Sequence, residues 1–385
     1  MTNVLLISRG LIPSVRLCGY EQLSLLKEQG KIDFRFSSCR ELTPESAGWP
    51  DVIFFVRSDS EADVVCAREW RRAGKYLIYV LDDDLLNVPQ GISSAAFYHR
   101  KNVRKNIRTL MQLCHCMLSP SPLLLEKYGA TFERTLRMEE PSLFSAPATS
   151  QERNDRVRIG FAGSVDRAGD VDLILSTTIR RLLARYGDRI SIEFFGAQPA
   201  IAEECGLTTI PYCDSYDAYR ERMQSLAWDI GLAPMPDSEF HRYKHYNKFI
   251  EYSACGIVGI YSNVPPYRDA IRHGVDGWLC DNTTDAFFDA LCRLIDDRKL
   301  LSDMRAEVTR LATTTFSLPT VTQELWTSLE DVLTSSTDHT PIPCAKQLRR
   351  IDLQERLSAI IAEHGVWKLP FLVIRKIAKK LFRKA

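Results

Sequence analysis

The chain has 385 residues, of which 45% are hydrophobic and 26% are charged. This length predicts two or three domains with a sizeable core, and the net charge of +1 argues against a general nucleic-acid binder, which normally carries a basic surplus. No apolar run approaches the roughly 18 residues that a membrane-spanning helix needs. The start of the chain lacks a signal-peptide pattern and the eleven cysteines form no C-x-x-C pair, so we expect a cytoplasmic protein with reduced thiols.

Predicted strands and helices alternate in the first part of the chain. Short apolar runs predict strands at 4–8, 34–36, 52–55 and 76–81 and one near residue 117. Helical spacing of apolar residues predicts helices at 19–29, 62–72, 95–114 and 122–128. Such alternation is typical of a parallel, doubly wound sheet with helices on both faces.

The composition changes at 143–156, where Ser, Ala, Pro, Thr and charged residues predominate. This stretch predicts a linker between a first domain at 1–142 and a second at 157–317. The second domain repeats the alternation, with predicted strands at 157–162, 191–195, 208–210, 229–233, 257–261 and 278–280. Its predicted helices lie at 171–186, 216–226, 243–254, 267–272, 285–295 and 300–313. The expected fold class is therefore α/β, with two Rossmann-like domains facing a cleft.

Three further segments follow the second domain. A helix is predicted at 318–334, then a linker at 335–343 and a basic amphipathic tail at 344–385. Residues 366–385 read VWKLPFLVIRKIAKKLFRKA, with seven basic and no acidic side chains beside an apolar helix face. This composition favours contact with an anionic membrane surface, the alternative being a helix packed on the protein body.

The residues that follow two strands of the second domain are suited to binding a diphosphate. Gly163 and Ser164 end the first strand of this domain with Arg167 close behind, and backbone amides in such a turn bind anions. A later strand and a Pro-containing loop lead to Lys244 and Lys248, whose spacing places both cations on one helix face. Glu251 follows three residues later, and its carboxylate can accept hydrogen bonds from sugar hydroxyls.

The segment 228–281 resembles the donor-binding region of GT-B glycosyltransferases. It matches the pattern D-I-G-L-A-P, a loop, K-x-x-x-K-x-x-E-Y-x-A-x-G, a strand and S-x-x-x-P-Y of the large family that includes retaining enzymes of bacterial surface polysaccharide synthesis. The resemblance implies that Gly163, Ser164, Arg167, Lys244 and Lys248 bind the donor diphosphate. It also implies that Glu251 binds the ribose.

One position departs from that family pattern. Many retaining members carry a second glutamate eight residues before Glu251, where this chain has Tyr243. The residue that contacts the donor sugar therefore stays open, and with it the identity of the donor.

Charged residues also follow strands of the first domain. Asp82, Asp83 and Asp84 come after the strand at 76–81, and similar GT-B proteins carry such a triplet facing the cleft. We expect Asp82 and Asp83 to orient an acceptor hydroxyl, the alternative being capping of the next turn. Arg16 and Arg57 follow earlier strands, and we expect both on the acceptor side, unless they are surface arginines.

These patterns predict a glycosyltransferase that moves a sugar from a nucleotide diphosphate-sugar to a hydroxyl of a glycan, lipid-linked or other acceptor. The resemblance implies metal-independent catalysis without a cofactor and with retention of configuration, and Lys248 and Asp83 are the expected catalytic residues. Two alternatives remain, a GT-B sugar-nucleotide epimerase and a non-catalytic glycan-binding protein. The epimerase requires carboxylates and histidines arranged for acid–base work, which the sequence does not reveal.

Overall fold

The computed structural model describes residues 1–144 and 156–342. Most of the predicted linker and the tail at 344–385, including the segment 366–385, lie outside these ranges. The ten cysteines within the described ranges are free thiols. No helix of 1–144 or 156–342 combines the length and apolarity required to cross a bilayer.

Two six-stranded sheets form the centres of the two domains, and each pair of neighbouring strands is parallel. The strands of the first domain are β1 (Thr2–Ile7), β2 (Ile32–Ser37), β3 (Val52–Val56), β4 (Tyr76–Val80), β5 (Cys116–Ser119) and β6 (Arg134–Arg137). Those of the second are β7 (Val157–Gly163), β8 (Ile190–Gly196), β9 (Thr208–Ile210), β10 (Ile230–Ala233), β11 (Val258–Ser262) and β12 (Trp278–Cys280).

Helices cover both faces of each sheet. The first domain contains α1 (Pro13–Val15), α2 (Glu21–Glu28), α3 (Pro44–Gly48), α4 (Glu61–Arg72), α5 (Ala95–Tyr98), α6 (Lys101–Leu113) and α7 (Pro122–Tyr128). The remaining helices are α8 (Ala168–Tyr186), α9 (Ala200–Glu204), α10 (Tyr216–Leu226), α11 (Glu239–Arg242), α12 (Asn247–Ala254), α13 (Tyr267–Ala270), α14 (Thr284–Asp296), α15 (Arg298–Thr313) and α16 (Leu318–Leu333). The predicted two-domain α/β architecture is thus confirmed.

The strand orders are β2-β1-β3-β4-β5-β6 and β12-β11-β10-β7-β8-β9. In each sheet the direction of chain progression reverses beside the first strand, β1 or β7. Ligands of open parallel sheets bind beyond the carboxyl ends of the strands at such a reversal, because the connections on its two sides diverge there. The loops after β1, β3, β7 and β10 are therefore the positions at which a site is expected.

Between residues 1 and 342 the chain passes from one domain to the other twice, and the two crossings lie side by side at Ser142 and Phe316. Ser142 on the outgoing crossing donates its N–H to the carbonyl of Phe316 on the return, at 2.6 Å. The returning chain enters α16, which packs on the first domain. Leu325, Leu329 and Leu333 of this helix are buried in the same apolar cluster as β1 and α2.

Two predicted helices differ from those observed. The helix expected at 95–114 is two helices, because Arg100 adopts an extended backbone conformation between α5 and α6. The helix expected at 243–254 begins only at Asn247. Lys244 therefore lies in a turn before α12, and the argument that Lys244 and Lys248 share a helix face is wrong. The cause is tertiary, since Tyr246 and His245 contact Glu139 of the first domain.

The sequence patterns did not predict one polar strand and three short helices. Strand β6 reads RTLR and lacks the apolar run that identifies a buried strand, yet it pairs with β5 at the sheet edge. The helices α3, α9 and α11 each span only four or five residues, too few for a periodic pattern to appear.

Candidate active site

A cleft of about 330 Å³ lies between the two domains, lined by residues from both. Its first-domain wall comes from the segments that follow β1, β3 and β4, and its second-domain wall from those that follow β7, β10 and β11. The cleft thus occupies the place that the strand reversals indicate. Of the predicted site residues, eight line it: Arg57, Asp82, Asp83, Gly163, Ser164, Arg167, Lys244 and Lys248.

The turn after β7 places the backbone of Gly163 and Ser164 and the guanidinium of Arg167 at the cleft. Gly163 is the last residue of β7, and Ser164 precedes the helical turn that leads into α8. Arg167 is fixed by two partners. It donates from Nη2 to the carbonyl of Pro234 at 2.6 Å, and its Nε lies 3.1 Å from the Asp170 carboxylate. The loops after β7 and β10 are therefore joined, and they hold a guanidinium beside a helix start.

The two lysines reach the cleft from different backbone contexts. Lys244 precedes α12 and forms an ion pair with Asp83 of the other domain at 2.9 Å. Lys248 lies in the first turn of α12 and pairs with Glu251, one turn further along. Tyr219 on α10 completes this second group, because its hydroxyl lies 3.0 Å from Lys248 Nζ and donates to Glu251 at 2.9 Å. Burial, followed by the Glu251 charge, raises the pKa of Tyr219 well above its usual value.

A buried cluster fixes the turn between the lysines. His245 Nε2 lies 2.9 Å from Glu139 and its Nδ1 lies 3.7 Å from Glu140, both on the outgoing domain crossing. The Tyr246 hydroxyl donates to Glu139 at 2.5 Å. Burial disfavours a charged imidazole, but the two carboxylates outweigh it and raise the pKa of His245 to about 10. The imidazolium therefore anchors the lysine-bearing turn to the other domain.

A second histidine, His241, also lines the cleft, but its imidazole is uncharged at neutral pH. His241, in α11, accepts or donates a hydrogen bond between its Nδ1 and the Ser238 hydroxyl at 2.7 Å. Burial, then the positive charges of Arg167 and Lys244, lower the pKa of His241 to about 4. The imidazole is therefore neutral at pH 7, mainly because it is buried and secondly because two cations lie near it.

Arg57 forms the centre of the first-domain wall. It follows β3 directly and has a φ of 50°, a left-handed conformation that is unfavourable for a side chain other than glycine. Its guanidinium donates to Ser14 at 2.9 Å and to Asp82 at 3.2 Å, and it lies 3.5 Å from Asp83. Burial disfavours its charge, but Asp82 and Asp83 raise its pKa above the usual value.

The three consecutive aspartates have different partners. Burial raises the pKa of Asp82, whereas Lys244 and Arg57 overcome the effect of burial on Asp83 and keep its pKa below the usual value. Asp84 is buried away from the cleft wall, where it pairs with Lys127 at 2.8 Å and accepts from Tyr128 at 2.6 Å. Within the described ranges, no group of three His, Cys, Asp or Glu side chains is arranged to hold a metal ion.

Two predicted site residues do not line the cleft. Arg16 instead bridges Glu21 at 2.6 Å and Asp217 of the second domain at 2.7 Å. Glu251 pairs with Lys248 but is not itself among the residues that line the cleft. The sequence did not predict Ser14, Tyr219 or the carboxylate partners of His245 as parts of the site. Ser14 and Tyr219 carry no motif. His245 stands out in the sequence because the resembling family usually has a small residue there, but its pairing with Glu139 and Glu140 has no sequence signal.

Residues 156–297 match the model of the family described as glycosyl transferases group 1. The match covers most of the second domain and confirms the resemblance found in segment 228–281. No curated protein sequence matches the chain.

Several solved structures share the fold. One is Anabaena Alr3699/HepE in complex with UDP-glucose, at 13% identity and a TM-score of 0.58, covering 86% of this chain and 100% of that one. Another is a glycosyltransferase from Rickettsia africae, at 13% identity and 0.58, covering 87% and 99%. A third is a putative UDP-N-acetylglucosamine 2-epimerase from Listeria monocytogenes, at 11% identity and 0.53, covering 87% and 98%. At these identities the likeness establishes the GT-B fold.

Proposed function

We propose that this chain, which carries a group 1 glycosyltransferase domain at residues 156–297, transfers a sugar from a nucleotide diphosphate-sugar to an acceptor hydroxyl. The observation that carries the proposal is the composition of the cleft. Arg167, Lys244 and Lys248 lie on the wall that the family match covers, opposite Asp82 and Asp83 on the other domain. A cation-rich wall facing a carboxylate wall suits a reaction in which a diphosphate leaves and a hydroxyl attacks.

The donor diphosphate is assigned to the wall of the second domain. Arg167, Lys244, Lys248 and the amides at Gly163 and Ser164 would neutralise its charge, so that no metal ion is required for that purpose. Charge that develops on the diphosphate as the glycosidic bond breaks is stabilised by groups already in place, which lowers the barrier. Glu251, held beside Lys248, would accept hydrogen bonds from the ribose hydroxyls.

The acceptor is assigned to the wall of the first domain. Asp83 would accept a hydrogen bond from the attacking hydroxyl, with Asp82 and Arg57 fixing the position of that carboxylate. Attack then takes place on an anomeric carbon with oxocarbenium character, and the family pattern favours retention of configuration. A glycan or a lipid-linked sugar supplies such a hydroxyl, and a membrane-surface contact through 366–385 would bring the enzyme to a lipid-linked acceptor.

An epimerase shares the fold, so the architecture does not separate the two activities. The transferase is favoured because the family match falls on the donor-binding domain. The histidines near the cleft also offer little acid–base chemistry at neutral pH. His245 is engaged by two glutamates of the domain crossing, and His241 is uncharged.

Calorimetric titration of the full chain with UDP-, GDP- and dTDP-sugars tests the proposal. We expect one donor to bind and to be hydrolysed slowly when no acceptor is present. Lys248→Ala should weaken its binding at least tenfold, since a charged hydrogen bond contributes about 1.5–3 kcal/mol. Lys299→Ala is the matched control, because this lysine is exposed on α15 and pairs only with Asp303 among the ion pairs of the described chain.

The other outcomes separate the alternatives. Interconversion of the donor sugar without an acceptor would establish the epimerase. Failure of all three donor classes to bind would leave the non-catalytic protein, and equal affinity in Lys248→Ala and the control would remove Lys248 from the site.

A further inference from the structure

One carboxylate occupies the position between the two walls of the cleft. Asp83 Oδ1 lies 2.9 Å from the Lys244 ammonium of the second domain, and its Oδ2 lies 3.5 Å from the Arg57 guanidinium of the first. The side chains of Asp83 and Lys244 are 21% and 25% exposed, so water screens the pair only in part. An internal anion therefore holds a cation that the proposed function assigns to the donor diphosphate.

A diphosphate oxygen and the Asp83 carboxylate compete for Lys244. Both are anionic acceptors, and two anions beside one ammonium repel each other strongly where the effective dielectric constant is low. A diphosphate carries more charge than a carboxylate, and Arg167 and Lys248 add attraction for it that Asp83 does not receive. The diphosphate is thus the stronger ligand, but it binds against the contact already present.

We propose that the donor diphosphate displaces Asp83 from Lys244 and thereby frees this carboxylate to receive the acceptor hydroxyl. The inference rests on the proposed function and adds to it the order in which donor and acceptor bind. Asp83 takes the place of a phosphate oxygen beside Lys244 until the donor binds. Its Oδ1, which accepts from the Lys244 ammonium until then, becomes free to accept from the acceptor hydroxyl. The donor therefore binds first, and the acceptor site is completed by that step.

The Asp83–Lys244 pair is not required to hold the domains together. Lys127 in α7 pairs with Glu239 of the second domain at 3.1 Å, and Ser93 donates to Asp166 at 2.8 Å. Arg16 and Asp217 form a third contact at 2.7 Å. Glu239 lies outside the cleft wall, so its pair with Lys127 offers a domain contact that can be removed without changing the cleft.

Isothermal titration of the full chain with UDP, GDP and dTDP tests the exchange, using the nucleotide that binds the wild type. Asp83→Asn removes the competing charge, and we expect the nucleotide to bind about 3–5-fold more tightly. Asp83→Glu keeps the charge and should stay within about twofold of the wild type. Glu239→Gln breaks a domain contact alone and should leave the affinity unchanged.

A second measurement examines the coupling to Lys244. Lys244→Gln should weaken nucleotide binding more in the Asp83→Asn background than in the wild type, because the free lysine contributes fully only when its internal partner is gone. Thermal unfolding of each variant verifies the fold, and Asp83→Ser replaces Asp83→Asn if that variant does not fold.

The two failures are distinguishable. A wild type that binds none of the nucleotides overturns the proposed function. A wild type that binds, with Asp83→Asn equal to it or weaker, overturns only the exchange and assigns Asp83 a structural role.

Discussion

Buried ionic side chains at the cleft are stabilised by partners on the other domain. His245 is the clearest instance, since its imidazolium has a 2% exposed side chain and lies between Glu139 and Glu140. Removing one member of a buried pair leaves an uncompensated charge, which costs more than the pair contributes as a whole. Such residues therefore set the stability of the region that carries the lysines.

We expect His245→Gln to lower the free energy of unfolding by about 3–5 kcal/mol near pH 6. The folded pKa of about 10 lies above the reference value of 6.5, so the stabilisation is complete below pH 6.5 and is lost as the pH rises through about 10. The difference in the free energy of unfolding between wild type and variant should therefore decrease as the pH rises from 6 to 10. Urea unfolding at pH 6, 8 and 10 measures it.

His339→Gln is the matched control for that experiment. His339 also pairs with a buried aspartate, Asp51, at 2.9 Å, but its side chain is 44% exposed. A screened pair of this kind contributes about 0–1 kcal/mol. A constant difference for His245→Gln from pH 6 to pH 10 would show that the imidazole is not charged in the folded protein.

At the level of elements, one position of strand β7 has no space for a side chain because the ring of Trp228 lies against it. Trp228, which is fully buried, packs on Gly160 of β7, and its indole N–H donates to Glu193 of β8 at 2.8 Å. The ring thus links the strands at the base of the sheet.

Gly160→Ala should destabilise the protein by about 1–3 kcal/mol or more, because the added Cβ would overlap the indole ring. Gly169→Ala provides the opposite case. Gly169 lies in α8 with open space around it, and alanine is the better helix former, so this variant should be at least as stable as the wild type. Thermal unfolding of both variants gives the comparison. If Gly160→Ala and the wild type had equal melting temperatures, the Trp228 ring could move away from the added methyl group without loss of stability.

At the level of the whole molecule, one helix belongs to the second half of the sequence and to the core of the first domain. Leu329 of α16 is fully buried with β1 and α2. Together with the paired crossings at Ser142 and Phe316, this packing ties the end of the described chain to its beginning. The first domain is therefore incomplete without residues 318–333.

Leu329→Ala should cost about 2–5 kcal/mol, because it leaves a cavity in the first-domain core. Hydrogen exchange should show the loss of protection in β1 and α2 rather than in the second domain. Glu330→Ala changes the neighbouring, exposed position and should have little effect. Exchange that increases mainly in the second domain would contradict this placement of α16.

Local patterns were sufficient for much of this molecule. Alternating apolar segments and the change in composition at 143–156 predicted two doubly wound domains, and strands such as Thr208–Ile210 and helices such as Tyr216–Leu226 have the bounds expected. The positions after strands predicted which residues face the cleft, because parallel strands place all their carboxyl ends at one edge. Arg57, Asp82, Asp83, Gly163 and Ser164 line the cleft for that reason. Arg16 also follows a strand but pairs with Glu21 and Asp217 instead.

The tertiary structure alone decided which charges meet. Asp83 and Lys244 are separated by 161 positions, and no spacing rule connects residues on different domains. It also decided where α12 begins, since the contacts of His245 and Tyr246 with Glu139 outweigh the helical tendency of that segment. Sequence periodicity records which face of an element is buried. It carries no information on the partner across a cleft, because that pairing depends on how two separately folded sheets are placed against each other.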